Sequence, residues 1–439
     1  MASLLDRATS IISSPKIVQG THSSNLPSLP NLSSLPVSSR LPLYLSAGAA
    51  SVGLLLFINS LRGFPNSGGT KVIPSPRETL LPRLSTDETK NLPYPPYALP
   101  GARDVDSPYG TTRVYEWGPK DGPKVLLLHG ISTPSIALAG LAYKLVEKGC
   151  RVMLFDLFSR GHSSGPSPAT NSYSSALYTS QILLVLQSSP LSWTSTSPFT
   201  IVGYSLGGAI AADFTSYFTA SISHLILIAP GGLIRTTHIT WKSRFLYSTS
   251  GLLPEWMIHS LVARRLWTGP NTARSIEPEG DVEAQKEPES EKKGGLRSHA
   301  VYLSPQLNLL PTCPNSTVGN VVDWQIQHHR GFVPAFVSTI RFAPIHNQHH
   351  RWRIIGEKMK IGGIPLKKVN VILGENDPII VAEEVAEDVK EVLGEDYVQV
   401  QVLKGAGHEL AIDKVDEIAS LVGRELGLAR KAKKSKSRW

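Results

Sequence analysis

The sequence predicts an α/β protein: a mostly parallel sheet with helices on both faces and an inserted helical lid. Three observations carry this. From about residue 111, short apolar runs alternate with helical stretches, and strands apolar on both sides belong to sheets covered on both sides. The alternation stops between Gly232 and Leu366 and then resumes. One run, Phe199 to Tyr204, feeds directly into Gly203-Tyr204-Ser205-Leu206-Gly207 and then a helix rich in small residues.

Before the sheet begins, the chain changes character twice. Residues 1–40 are rich in Ser and Pro, with Arg7, Lys16 and Arg40 against Asp6 alone. They read as a disordered amino-terminal region with some features of a mitochondrial transit peptide. Leu41 to Leu61 holds 21 residues without a charge, about 30 Å as a helix. This predicts a retained single-pass membrane anchor, with the endoplasmic reticulum or another endomembrane as the location and mitochondria as the alternative. Arg62, Lys71 and Arg77 follow the segment and only Arg40 precedes it, which favours a cytosolic catalytic domain. The triplet Asn315-Ser-Thr has the form of a glycosylation acceptor and points the other way. Residues 62–110, with "NLPYPPYALPG", read as a linker.

The core is expected in two parts, 111–231 and 367–428. Strands are predicted at 114–117, 124–128, 152–155, 199–204, 225–229, 369–373 and 398–402. Helices are predicted at 136–147, 174–186, 206–218, 381–392 and 415–428. The intervening 232–366 reads as a lid, with helical stretches at 240–267 and 321–342. Its acidic, low-complexity part, 276–297, can bury almost nothing and is predicted to be disordered.

Composition sets the outer limits. With 439 residues and 41% hydrophobic content, the chain can build a large core. The formal net charge is +9, and six of the basic residues lie in the tail 429–439, leaving +3 for the remainder. Such a tail suits an anionic surface or free solution. The near-neutral body argues against a nucleic-acid partner. Two cysteines, Cys150 and Cys313, make neither a disulfide framework nor a thiolate metal site.

The chemistry centres on Ser205. A G-x-S-x-G turn lifts a serine above the carboxyl edge of a sheet, and Gly203 and Gly207 supply the room that the tight turn requires. A serine hydroxyl needs a base. His408, in "GAGHEL" after the last predicted strand, is in place to serve. Asp377, in "GENDP" after strand 369–373, would orient it; Glu375 is the alternative acid. The oxyanion donors are expected to be the backbone N–H groups of Leu206 and, from the loop "HGIST", of Ile131. Five histidines (His328, His329, His346, His349 and His350) crowd one part of the lid without a local carboxylate or cysteine. They read as polar surface, not as a metal site.

"LLLHG", "DLFSRGHSSG", "GYSLGG", "GENDP" and "GAGHE" together resemble the α/β-hydrolase superfamily in its lid-bearing lipase and esterase branches, from about Thr111 to Leu428 without the lid. The resemblance implies an eight-stranded sheet, a Ser205–Asp377–His408 triad and no cofactor or metal. It also implies that Asp156, Arg160 and His162 are scaffold. The expected function is hydrolysis of a carboxylic ester through an acyl-enzyme. An amphipathic lipid, of the monoacylglycerol or lysophospholipid type, is the expected substrate and a membrane the expected partner. The alternatives are a thioesterase, amidase or carbon–carbon bond hydrolase with the same triad, or a non-catalytic scaffold at a membrane.

Overall fold

The computed structural model describes residues 71–251, 253–268 and 304–428, with Ser51 and Gly53. The chain divides into two units, 1–62 and 63–439. The elements below belong to the second.

Ten strands are described: β1 Val72–Ile73, β2 Ala102–Val105, β3 Thr112–Trp117, β4 Lys124–Leu128, β5 Arg151–Phe155, β6 Gly165–Pro166, β7 Phe199–Tyr204, β8 Ile222–Ile228, β9 Val369–Gly374 and β10 Val398–Leu403. Eight of them form one sheet in the order β10-β9-β8-β7-β4-β5-β3-β2, and β1 pairs with β6 separately. From β10 to β5 every pairing is parallel; β3 and β2 are added antiparallel. Burial follows position. The inner strands β7 and β9 are buried at every residue, as their largely apolar sequences require. The edge strand β10 buries only Val398 fully, and its Val-Gln alternation fits a strand with one solvated face.

Helices cover both sides: α1 Ala139–Glu147, α2 Ser175–Gln187, α3 Leu206–Tyr217, then α4 Trp241–Leu246, α5 Glu255–Leu266, α6 Val318–His328, α7 Phe332–Phe342 and α8 His349–Ile361 in the insertion, and finally α9 Ala382–Leu393 and α10 Val415–Glu425. The run expected at 240–267 is two helices. Gly251 at φ +73 and Pro254 at the start of α5 interrupt it, as both residue types do. The run expected at 321–342 also breaks, at Arg330-Gly331 between α6 and α7.

Two expectations need correction. The linker reading fails for residues 71–110: they supply β2, two capped helical turns and the buried Tyr94 and Leu99. Prolines made this stretch look irregular, but Tyr94 and Leu99 are core and Leu80 and Leu92 pack against them. The single-pass localisation is also corrected. No helix among the described residues is long and apolar enough to cross a membrane. The predicted span 41–61 lies outside the described residues apart from Ser51 and Gly53, as do 1–40, 276–297 and 429–439.

The insertion is fastened to the core by polar and apolar contacts. Arg235 reaches Glu387 (2.9 Å) and Asp388 (2.7 Å) on α9. On α8, Trp352, Ile355, Gly356 and Met359 are buried, the i, i+3, i+4, i+7 stripe of a helix lying on a core.

Candidate active site

Ser205 sits between β7 and α3 with φ 54 and ψ −117. This left-handed region is uncommon for a residue with a side chain. The turn is held open at that angle by its own backbone: the Ser205 N–H donates to Ile228 O (3.0 Å), and Ser205 O accepts from the N–H groups of Gly208 (2.9 Å) and Gly231 (3.0 Å). The flanking glycines are sterically required. A methyl group on Gly203 would lie 2.6 Å from Gly208 Cα, and one on Gly207 would lie 2.7 Å from His129 O.

His408 follows β10, and its loop is pinned to the loop after β9 by the Asn376 N–H, which donates to Ala406 O (2.9 Å). The imidazole Nε2 is 3.0 Å from Ser205 Oγ, and Nδ1 is 2.8 Å from Asp377 Oδ2. The other Asp377 oxygen accepts from the N–H groups of Ile379 (2.8 Å) and Ile380 (2.9 Å), so the carboxylate cannot turn away from the ring. Asp377 and His408 are both buried. Glu375, the alternative acid, points elsewhere: its Oε2 accepts from the Gly405 N–H (2.7 Å).

Leu206 opens α3, where first-turn N–H groups lack helical partners, and it is buried beside the serine. Gly130 places the loop of Ile131 against the same point. A methyl group on Gly130 would be 3.6 Å from Ser205 Cβ and 3.3 Å from the Tyr204 ring. Ser205, His408, Asp377, Leu206 and the Gly130–Ile131 loop therefore converge at the carboxyl edge of the sheet.

Behind the site lies a buried polar layer. Asp156 accepts from the N–H groups of Ser135 and His162 (2.9 Å each) and from Tyr94 Oη (3.1 Å). Burial nevertheless pushes its carboxyl up to about 6. Burial holds the His129 and His162 imidazoles down at about 3. Three residues here were missed by sequence reasoning: His129, Tyr94 and Gln325. His129 was within the quoted "LLLHG", yet its contacts to Gly130 and Leu157 follow only from the fold. The lid histidines separate: His329 Nε2 faces Ser163 O (2.9 Å) and His349 faces Asp388. No group of His, Cys, Asp or Glu among the described residues could hold a metal ion.

The sequence profile of the alpha/beta hydrolase family matches residues 125–421. The chain is 33% identical over 121 residues to an uncharacterized protein of Mycobacterium tuberculosis, covering 28% of this chain and 33% of that protein. It thus spans about a third of the length of the first curated relatives it matches. A monoacylglycerol lipase of Xenopus laevis is 22% identical over 308 residues, 69% of this chain and 75% of that protein. Among solved structures, a carboxylesterase of Bacillus subtilis superimposes with a TM-score of 0.48 at 18% identity, over 74% of this chain and 90% of that one. With more than half of its length matched by the profile and a sheet and serine turn of the corresponding form, the chain belongs to the alpha/beta hydrolase family.

Proposed function

We propose that the protein hydrolyses carboxylic esters with Ser205 as nucleophile. The observation that carries this is the hydrogen-bonded chain from Ser205 Oγ through His408 to Asp377. Ser205 Oγ attacks the acyl carbonyl while His408 Nε2 takes its proton. Asp377 accepts the Nδ1–H and stabilises the imidazolium without taking the proton itself. The N–H groups of Leu206 and Ile131 receive the charge that develops on the carbonyl oxygen. His408 returns the proton to the departing alcohol, leaving an acyl-Ser205. Water, deprotonated by the same imidazole, then releases the acid and restores the serine. No step calls for a cofactor.

A lipid ester of the monoacylglycerol or lysophospholipid type is the proposed substrate, and 232–366 is proposed as a lid. Trp241 (75% exposed), Trp256 (69%), Phe245 and Phe342 stand out from the insertion, which suits an amphipathic substrate better than a small polar one. The Xenopus laevis relative is named for such an activity.

The test is labelling with a fluorophosphonate, comparing wild type with Ser205→Ala and His408→Ala. Labelling of the wild type at Ser205, abolished in both variants, is the expected result; a folded wild type that does not label would defeat the reading. A substrate panel then decides the lipid part. Turnover of 4-nitrophenyl butyrate without any of monoacylglycerols or lysophospholipids would overturn it.

A further inference from the structure

Three consecutive carbonyls of the loop that carries Ile131 are each held by a buried side chain. His129 Nδ1 lies 2.8 Å from Gly130 O. Arg160 Nε donates to Ile131 O at 2.7 Å. Gln325 Nε2 donates to Ser132 O at 2.8 Å. Gln325 is fully buried, and its Oε1 accepts the Gly161 N–H at 2.8 Å. One end of the amide faces an acceptor and the other a donor, so a single orientation of the side chain satisfies both.

Gln325 belongs to α6, in the insertion, 193 residues from Ser132. Arg160 reaches the insertion as well. Its Nη2 donates to Thr339 Oγ1 (3.2 Å) on α7, and its guanidinium lies 5.5 Å from the Phe332 ring centre. In a planar trans peptide the C=O and the N–H point in opposite directions. A carbonyl gripped from behind therefore aims the next residue's N–H forward. The grip on Gly130 O aims the Ile131 N–H, and the grips on Ile131 O and Ser132 O stop the following two peptide planes from rotating.

We propose that Gln325 is a positioning residue for the oxyanion loop, linking Ser132 to Gly161 so that the inserted segment fixes the donor geometry at Ile131. This rests on the reading of Ser205 and Ile131 given under the proposed function. Oxyanion donors act by being aimed before the reaction begins, and small misplacements of a catalytic group cost large factors in rate. Loss of the Gln325 donor removes its hold on the Ser132 carbonyl and lets the loop turn. The effect falls on kcat, since the charge on the carbonyl oxygen develops only in the transition state.

The test uses the full chain with 4-nitrophenyl butyrate, reading kcat and KM separately, with thermal melts to verify folding. Gln325→Glu keeps the shape and the acceptor for Gly161 but faces Ser132 O with a second oxygen. At pH 8 its kcat is expected to fall roughly 10- to 100-fold with KM within about twofold. The ratio of its kcat to wild type should rise as the pH is lowered, because a protonated carboxyl can again donate to Ser132 O. Gln325→Leu should lose kcat without that recovery. If Gln325→Leu does not fold, Thr339→Val, which removes the anchor of Arg160, should lower kcat by a smaller factor with KM unchanged. Arg235→Gln, which cuts the ion pairs between the insertion and α9, should lower the melting temperature and leave kcat intact.

Gln325→Glu with kcat within about twofold of wild type, or with loss confined to KM, overturns the proposal. So does a kcat loss in Arg235→Gln as large as in Gln325→Glu, since general loosening would then explain both. Fluorophosphonate labelling of Ser205 in the wild type separates the two levels. Labelling with an indifferent Gln325 removes only the positioning role, whereas absent labelling removes the reading beneath it too.

Discussion

At the scale of single residues, the division of labour between two nearby acids is testable. Asp377 has both oxygens committed, one to His408 and one to two backbone donors; Glu375 is bound to Gly405. Asp377→Asn places an amide against the ring and favours the wrong tautomer. It should lower kcat about 10³- to 10⁴-fold, with the melting temperature little changed, whereas Glu375→Gln should leave kcat within about threefold. Equal losses in the two variants would contradict the assignment. Steady-state kinetics on a soluble ester reads both. Gly207→Ala tests the turn itself. Its methyl would meet the Leu128 and His129 carbonyls, both backbone atoms that cannot swing aside. A loss of about 3 kcal/mol or more in urea unfolding is expected. These residues were legible because each sits in a short pattern whose spacing is set by local geometry. Gln325 was not, since nothing local marks one glutamine in a helix, and its partners come from other parts of the chain.

At the scale of elements, what sequence patterning showed depended on burial. β4 and β7 have the bounds expected from their apolar runs. β2, with the sequence Ala-Arg-Asp-Val, was illegible because it is an edge strand whose register is fixed by pairing with β3, not by an apolar face. α8 carries a buried stripe at helical spacing but is otherwise so polar that it reads as loop. The amino-terminal stretch is the consequential omission. Tyr94 Oη bonds to Tyr115 Oη (2.9 Å) and to Asp156 (3.1 Å), closing the polar layer under the site. A chain begun at Thr111 therefore loses β2, Leu99 and the Tyr94 contacts that close this layer. It should be less stable than the chain begun at residue 63 by at least about 4 kcal/mol, on the order of one buried aromatic plus one buried leucine. Equal urea midpoints for the two would contradict this.

For the whole molecule, buried histidines set the response to acid. The His129 and His162 imidazoles are held at about 3 and that of His329 at about 4, against 6.5 in the open chain, in each case chiefly by burial. The folded state keeps them neutral while the unfolded state takes up protons. Their contribution to stability is complete above pH 6.5 and is lost as the pH falls toward 4. Asp156, raised by burial from 3.8 to about 6, acts in the opposite sense: its contribution is present below pH 3.8 and is lost as the pH rises through 6. Among these four groups, three against one leave a net uptake of about two protons on unfolding, roughly 3 kcal/mol per pH unit; His224, His259 and His328 add to it and Asp213 opposes it. Urea unfolding between pH 6.5 and 4.5 should show stability falling with the pH, and His329→Asn should reduce the slope by about one proton. A wild-type slope of zero, or one unaffected by His329→Asn, would refute this.

The strand order has a consequence in time. β8 and β9 lie side by side although the whole insertion separates them in the chain. A chain is made from its amino end, so β2 to β5, β7 and β8, six of the eight strands of the main sheet, leave the ribosome before Asp377 and His408 have been joined to it. Of the pairings in the finished sheet, only those among these six strands are available until β9 arrives. The segment bearing Ser205 is thus complete while His408 is still unmade. On the proposed reading, the nascent chain acquires its nucleophile first and its base last, when the final stretch docks β10 beside β9 and brings the imidazole to the hydroxyl.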